Sequence, residues 1–288
     1  MATNAEDIFV EIDGLKLCYR VEGDPSHPPV LMIMGLTSQL IYWPQQLVGQ
    51  LVGAGYRVIR FDNRDSGRTE WTQETPSSYT LSAMANDAIQ LLDHLDIDSA
   101  HVVGASMGGM ISQRLAIDHP TRVRSLCSIM STTGKLTVGG AEDGVYAEMA
   151  KEIPPDRDEA IDHVVALFAL IGSKTYADEE ASSRRALATA AYDRSLSHPG
   201  AGARQILAIV LGGDRTGALQ KLTVPTLVIH GNEDSLINIS GGRATRDAIP
   251  GAKWLGDDVE GVDGMGHDLP TPLLDGIAAG IIAHLKQE

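Results

Sequence analysis

An α/β architecture built on a mostly parallel central sheet is the expectation from this chain, and three observations carry it. Short apolar runs without alternation recur along the sequence, helical patterns separate them, and a single alternating stretch precedes them all. Strands buried on both faces of a sheet read as continuous apolar runs, and their alternation with helices implies right-handed crossovers and parallel pairing.

The elements follow in order. Residues 8 to 21 alternate apolar and polar about Asp13-Gly14, which predicts an antiparallel hairpin of two half-exposed strands at the start of the sheet. Buried strands are expected at 29–35 (PVLMIMG), 56–62 (YRVIRFD), 100–105 (AHVVGA), 123–131 (VRSLCSIMS) and 225–231 (PTLVIHG). Helical spacing fills 43–54, 80–95, 107–119, 240–249 and 271–286. From about 132 to 220 no buried strand is apparent. Helical patterns at 142–152, 156–171, 178–196 and 200–211 are separated there by IPPD, GSKTYAD and SHPGAG. The expected organisation is a core of residues 1–131 and 221–288 carrying a helical cap inserted at 132–220.

Bulk properties narrow the function. The 288 residues suffice for one large α/β domain or two small ones, and 43% hydrophobic content is ordinary for a packed protein. The net charge of −15, with 23 basic residues forming no long block, argues against nucleic acid and against a peripheral membrane role. The opening MATNAEDIFVEID has no basic stretch leading into an apolar one, and no segment has the roughly 20 apolar residues of a membrane span. A cytoplasmic location is expected, with Cys18 and Cys127 as buried free thiols. The sequence carries no signal for an oligomeric state.

In a parallel sheet, ligands sit at the carboxyl ends of the strands. Ser106 stands there, between the run AHVVGA and the helix starting near Met107, with Gly104 and Gly108 on either side. Gly-x-Ser-x-Gly alone is weak evidence, but a strand, sharp turn and helix give it mechanical meaning, because the turn is crowded and larger residues at 104 or 108 would clash. A serine nucleophile needs a base, and the base needs an acceptor to fix its tautomer. Asp234 lies just beyond the strand PTLVIHG, and His267 occupies a glycine-flanked loop before the last helix, so the candidates run in the order Ser, Asp, His. Glu233 and Asp268 are the neighbouring alternatives for the acid, and the end of the 123–131 strand supplies no carboxylate. Of the other histidines, His230 ends a buried strand and is expected to pack or to satisfy a backbone group. The oxyanion donors expected are the backbone N–H groups of Met107 and of Leu36, which follows Gly35 after the first buried strand.

The segments MGLTSQLIYWPQQL, RFDNRDSGRT, HVVGASMGG, VPTLVIHGNEDSL and GMGH, in this order, resemble the α/β-hydrolase superfamily over essentially the whole chain. More narrowly they resemble its aclacinomycin methylesterase branch. The resemblance implies an α/β-hydrolase fold, a triad of Ser106, Asp234 and His267, and ester hydrolysis of a small molecule with no metal or organic cofactor. Met34-Gly35 stands where the superfamily commonly has His-Gly, and Leu36 stands where the branch often has a second glycine, which narrows the entrance against a bulky antibiotic substrate. Asp62, Arg64 and Asp65 are expected to form local hydrogen bonds in a structural turn. Candidate pocket residues are Gly35, Trp43, Tyr146, Met149, Leu167, Phe168, Ile171 and Tyr192, with packing as their alternative role. Carbon–carbon bond hydrolases, lactonases and cofactor-free haloperoxidases share these triad residues, and a non-catalytic small-molecule receptor is the alternative of another class.

Overall fold

The computed structural model describes residues 6–72, 78–196, 198–256 and 261–286. Strands β1 (Ile8–Ile12) and β2 (Leu15–Glu22) form the expected hairpin, closed by Asp13 and Gly14, both at positive φ (42° and 77°). A two-residue turn with this handedness matches the twist of paired strands, which is why Asp-Gly suits it.

The sheet then runs through β3 (Pro29–Ile33), β4 (Arg57–Phe61), β6 (Ala100–Ala105), β7 (Val123–Ile129), β8 (Thr226–Ile229) and β9 (Lys253–Leu255). Its spatial order is β1-β2-β4-β3-β6-β7-β8-β9, and the short β5 (Glu70–Trp71) also pairs with β2. Every pairing from β4 to β9 is parallel, while β2 runs antiparallel to β1, β4 and β5.

Successive residues of the central strands enter different cores, which explains their apolar runs. Leu31 and Ile33 join α2 (Leu81–His94) and α3 (Met107–Asp118) on one face. Val30 and Met32 join α1 (Gln45–Gly53) and α10 (Leu274–Leu285) on the other. Each such side chain is fully buried and contributes about 1.5–3 kcal/mol to folding before entropy is counted. Thr80 caps α2 by accepting the Ala83 N–H at 3.2 Å, and α9 (Ser240–Ala248) packs beside β8.

Between β7 and β8 the chain forms helices α4 (Val145–Met149), α5 (Arg157–Ile171), α6 (Ala177–Arg194), α7 (Ala201–Gly212) and α8 (Thr216–Leu219). Asp156 caps α5 through the amides of Asp158 and Glu159, and α5 packs on α6. Among the described residues β5, β9 and α8, of two to four residues, escape sequence reading because they are too short to display a period. Cys18 and Cys127 are free and buried, and burial together with Asp62 and Asp7 pushes the Cys18 thiol up to about 12. Among the described residues no helix is long and apolar enough to cross a membrane.

Candidate active site

The carboxyl ends of the parallel strands β3, β6 and β8 bring three loops to one end of the sheet, and the segment before α10 adds a fourth that carries His267. Ser106 occupies the turn from β6 to α3 at φ 57°, ψ −123°, a conformation that costs a non-glycine residue about 1–3 kcal/mol. Its neighbours make the turn feasible. A Cβ at Gly104 would lie 2.2 Å from both the Gly108 carbonyl oxygen and Ser112 Oγ, and one at Gly108 would lie 2.0 Å from the Ile33 carbonyl oxygen. Glycine at both positions lets α3 approach β6 and β3 closely enough to hold the turn. The Ser106 N–H donates to Ile129 at 2.9 Å, and Ser131 Oγ donates to the Ser106 carbonyl at 2.9 Å.

His267 and Asp234 meet this serine in one row. His267 Nε2 lies 2.9 Å from Ser106 Oγ, and its Nδ1 lies 2.8 Å from Asp234 Oδ2. An ionised Asp234 accepts the Nδ1 proton, which leaves Nε2 free to accept from the serine hydroxyl. The other carboxylate oxygen accepts the N–H groups of Leu236 (3.0 Å) and Ile237 (2.8 Å). Burial pushes the Asp234 carboxyl up, but the imidazoles of His267 and His230 and their hydrogen bonds outweigh it and hold the group well below the usual carboxylate range. The row can therefore withdraw a proton from Ser106 while keeping a negative charge behind the imidazole.

His230 is the residue whose part the sequence did not reveal. It does satisfy a backbone group, its Nε2 donating to the Ile237 carbonyl at 2.7 Å, but the same nitrogen lies 3.2 Å from Asp234 Oδ2. The signal available was its place four residues before Asp234, across a turn. Glu233 and Asp268, the alternative acids, point elsewhere. Glu233 accepts from the Lys174 and Thr175 amides at 2.7 and 3.0 Å, and Asp268 from the Ser173 amide at 3.0 Å. Both bind the link between α5 and α6, and the His267 N–H donates to the Ile171 carbonyl at 2.8 Å.

The loop after β3 lies against the serine, where a Cβ at Gly35 would come within 2.9 Å of Ser106 Cβ. Leu36 follows on this loop, while Met107 opens α3, where the first amides have no helical acceptor. Trp43 is buried with Met34, Met130 and Met265, and Phe168 of α5 stacks on Tyr42 at 5.4 Å between ring centroids. Ile171 is buried, and Met149 and Leu167 are partly buried. Tyr146 is 63% exposed and Tyr192 is 40% exposed under the Arg157 guanidinium, so both rings face solvent.

The 62–65 turn bonds further afield than expected. Alongside local bonds, Asp62 pairs with Arg194 of α6 at 2.7 Å, Asp65 with Arg204 of α7 at 2.6 Å, and Arg64 with Asp87 of α2 at 2.6 Å. Those partners lie 23 to 139 residues away in the chain, beyond the reach of local turn chemistry.

Comparison with known proteins agrees with this architecture. Rhodomycin D methylesterase DnrP of Streptomyces peucetius is 30% identical over 286 residues, covering 92% of this chain and 93% of its own. The enol-lactonase of Burkholderia xenovorans LB400 superposes with a TM-score of 0.76 at 22% identity, over 97% of this chain and 100% of its own. The esterase RhEst1 of Rhodococcus sp. ECU1013 gives 0.73 at 22% identity, over 98% and 99%. At these identities the two structures speak to fold alone. A family model described as alpha/beta hydrolase fold matches residues 28–261, and the chain belongs to that family.

Proposed function

We propose that this protein hydrolyses carboxylic esters of small or medium-sized molecules through an acyl-enzyme on Ser106. The observation that carries the reading is the hydrogen-bonded row of Ser106, His267 and Asp234 at 2.9 and 2.8 Å on a strained turn. The likeness to a methylesterase over 92% of this chain supports the choice of an ester as the bond cleaved.

Ser106 Oγ attacks the ester carbonyl as His267 Nε2 takes its proton, and Asp234 steadies the imidazolium. The carbonyl electrons move onto an oxyanion received by the Met107 and Leu36 amides. His267 then gives its proton to the departing alcohol. Water, deprotonated by the same imidazole, attacks the acyl-enzyme carbonyl; as the bond to Ser106 Oγ breaks, the imidazolium returns the proton to that oxygen, releasing the acid and the free serine. This chain's own groups supply every proton transfer, so the scheme invokes no cofactor.

In this reading the 132–220 segment is a cap. Arg194, Arg204 and the Glu233 and Asp268 contacts seat its helices beside the loops that carry the site. Buried free thiols and the acidic surface fit a small-molecule enzyme of a reducing compartment. A p-nitrophenyl ester series of rising acyl length tests the proposal. Wild type turns over with a chain-length optimum and Ser106→Ala does not; equal turnover in both defeats it.

A further inference from the structure

We infer that Gln205, a buried glutamine of α7, positions the oxyanion loop across the boundary between cap and core. This rests on the esterase reading above. Gln205 has no exposed surface, and its Oε1 accepts the Thr37 N–H at 2.6 Å. Its Nε2 donates to the Arg64 carbonyl at 2.8 Å and to Ser66 Oγ at 3.0 Å. The amide is thus oriented from both ends, and its oxygen is aimed at one backbone group.

The consequence for the Leu36 donor follows from peptide geometry. The Leu36 N–H belongs to the Gly35–Leu36 peptide, and rigid planes flank it on both sides. On the far side, Gln205 pins the Leu36–Thr37 plane through the Thr37 N–H. On the near side, Asn63 Nδ2 donates to the Met34 carbonyl at 2.8 Å and pins the Met34–Gly35 plane. The donor plane has one local bond of its own, the Ser38 N–H donating to the Gly35 carbonyl at 3.2 Å, and it lies between two anchored planes, one of them held by a residue 168 positions away. Thr37 also sits at φ 54°, a region that β-branched residues rarely adopt, so the loop needs an outside partner to hold it there.

The glutamine is not needed merely to seat α7. Arg204, its neighbour, already ties that helix to Asp65 with two bonds of 2.6 and 2.7 Å. Gln205 is a positioning residue, because it reaches the reacting oxygen only through the Leu36 amide.

The test compares wild type, Ser106→Ala, Gln205→Leu and Val210→Ala in the 288-residue protein with p-nitrophenyl butyrate and an aliphatic trifluoromethyl ketone, which forms a tetrahedral adduct. Removing one oxyanion donor costs about 100- to 1,000-fold in kcat, and loosening one costs less. For Gln205→Leu we expect kcat to fall about tenfold or more. KM stays within about threefold, and affinity for the ketone weakens by the same factor as kcat/KM. Val210→Ala, at a 68% exposed position on the same helix, stays within about twofold of wild type. Serine-dependent turnover untouched by Gln205→Leu, or a loss confined to KM with ketone affinity unchanged, overturns the inference alone. Turnover in Ser106→Ala equal to wild type overturns the esterase reading and the inference with it. Should Gln205→Leu not fold, Gln205→Asn withdraws the acceptor by one methylene, and the same criteria apply to it.

Discussion

Replacing Gly35 by alanine should slow acylation without unfolding the protein. The added Cβ would stand 2.9 Å from Ser106 Cβ and 3.3 Å from Ser106 Oγ. Carbon atoms rest comfortably at about 3.5–4.0 Å, so about 0.6 Å must be relieved. Ser106 is held by the Ile129 and Ser131 hydrogen bonds, and Gly35 by the loop on β3, so the strain is shared between nucleophile and oxyanion loop. If Ser106 takes about half of it, about 0.3 Å, the 2.9 Å contact of Oγ with His267 lengthens to about 3.2 Å, the limit of a good hydrogen bond. Misplacement by about 1 Å can cost about 100-fold, so a smaller shift is expected to cost about 10- to 50-fold in the acylation rate, or about 1.4–2.3 kcal/mol. Stopped-flow release of p-nitrophenol measures that rate, and thermal melting should move by only a few degrees. An acylation rate within twofold of wild type would refute the reasoning that this contact sets the geometry.

Other substitutions separate chemistry from stability. Asp234→Asn removes the acceptor that fixes the His267 tautomer, and kcat should fall about 10,000-fold with folding retained; a loss under tenfold in steady-state assays contradicts that role. Gly108→Ala places a Cβ 2.0 Å from the Ile33 carbonyl oxygen with no flexible side chain to yield, so denaturant unfolding should report about 4 kcal/mol or more of lost stability, and a near-normal midpoint would contradict it. Burial, then Arg124 and His284, lowers the His101 pKa from 6.5 to about 4. Between those values the unfolded chain binds the proton that the folded protein refuses, so stability falls as pH drops from 6.5 towards 4. His101→Gln should flatten that part of a stability–pH curve, and an unchanged slope would show that His101 does not carry it.

The elements legible in the sequence are those with a period long enough to see. The runs at 30–33 and 102–105 are apolar because alternate residues feed two cores, and α2, α5, α6 and α7 lie close to their expected positions. β9 contributes three residues at the sheet edge and leaves no comparable trace. Ser106, Asp234 and His267 stand out because each lies next to a strand end or a glycine-flanked loop, a local property. His230 and Gln205 were not legible in their roles for the opposite reason. A buried histidine at a strand end reads as packing, and the Gln205 bond to Thr37 spans 168 residues with no local signature. The charges of the 62–65 turn suggested bonds within the turn, whereas Arg194 and Arg204 answer them from α6 and α7.

The central claim is that an ester acylates Ser106. Rapid acid quench of the protein with p-nitrophenyl butyrate, followed by peptide mass mapping, reads this directly. The account predicts a butyryl adduct on the peptide containing Ser106, formed with a stoichiometric burst of p-nitrophenol and absent from Ser106→Ala. Serine-independent turnover with no adduct on that peptide would contradict it.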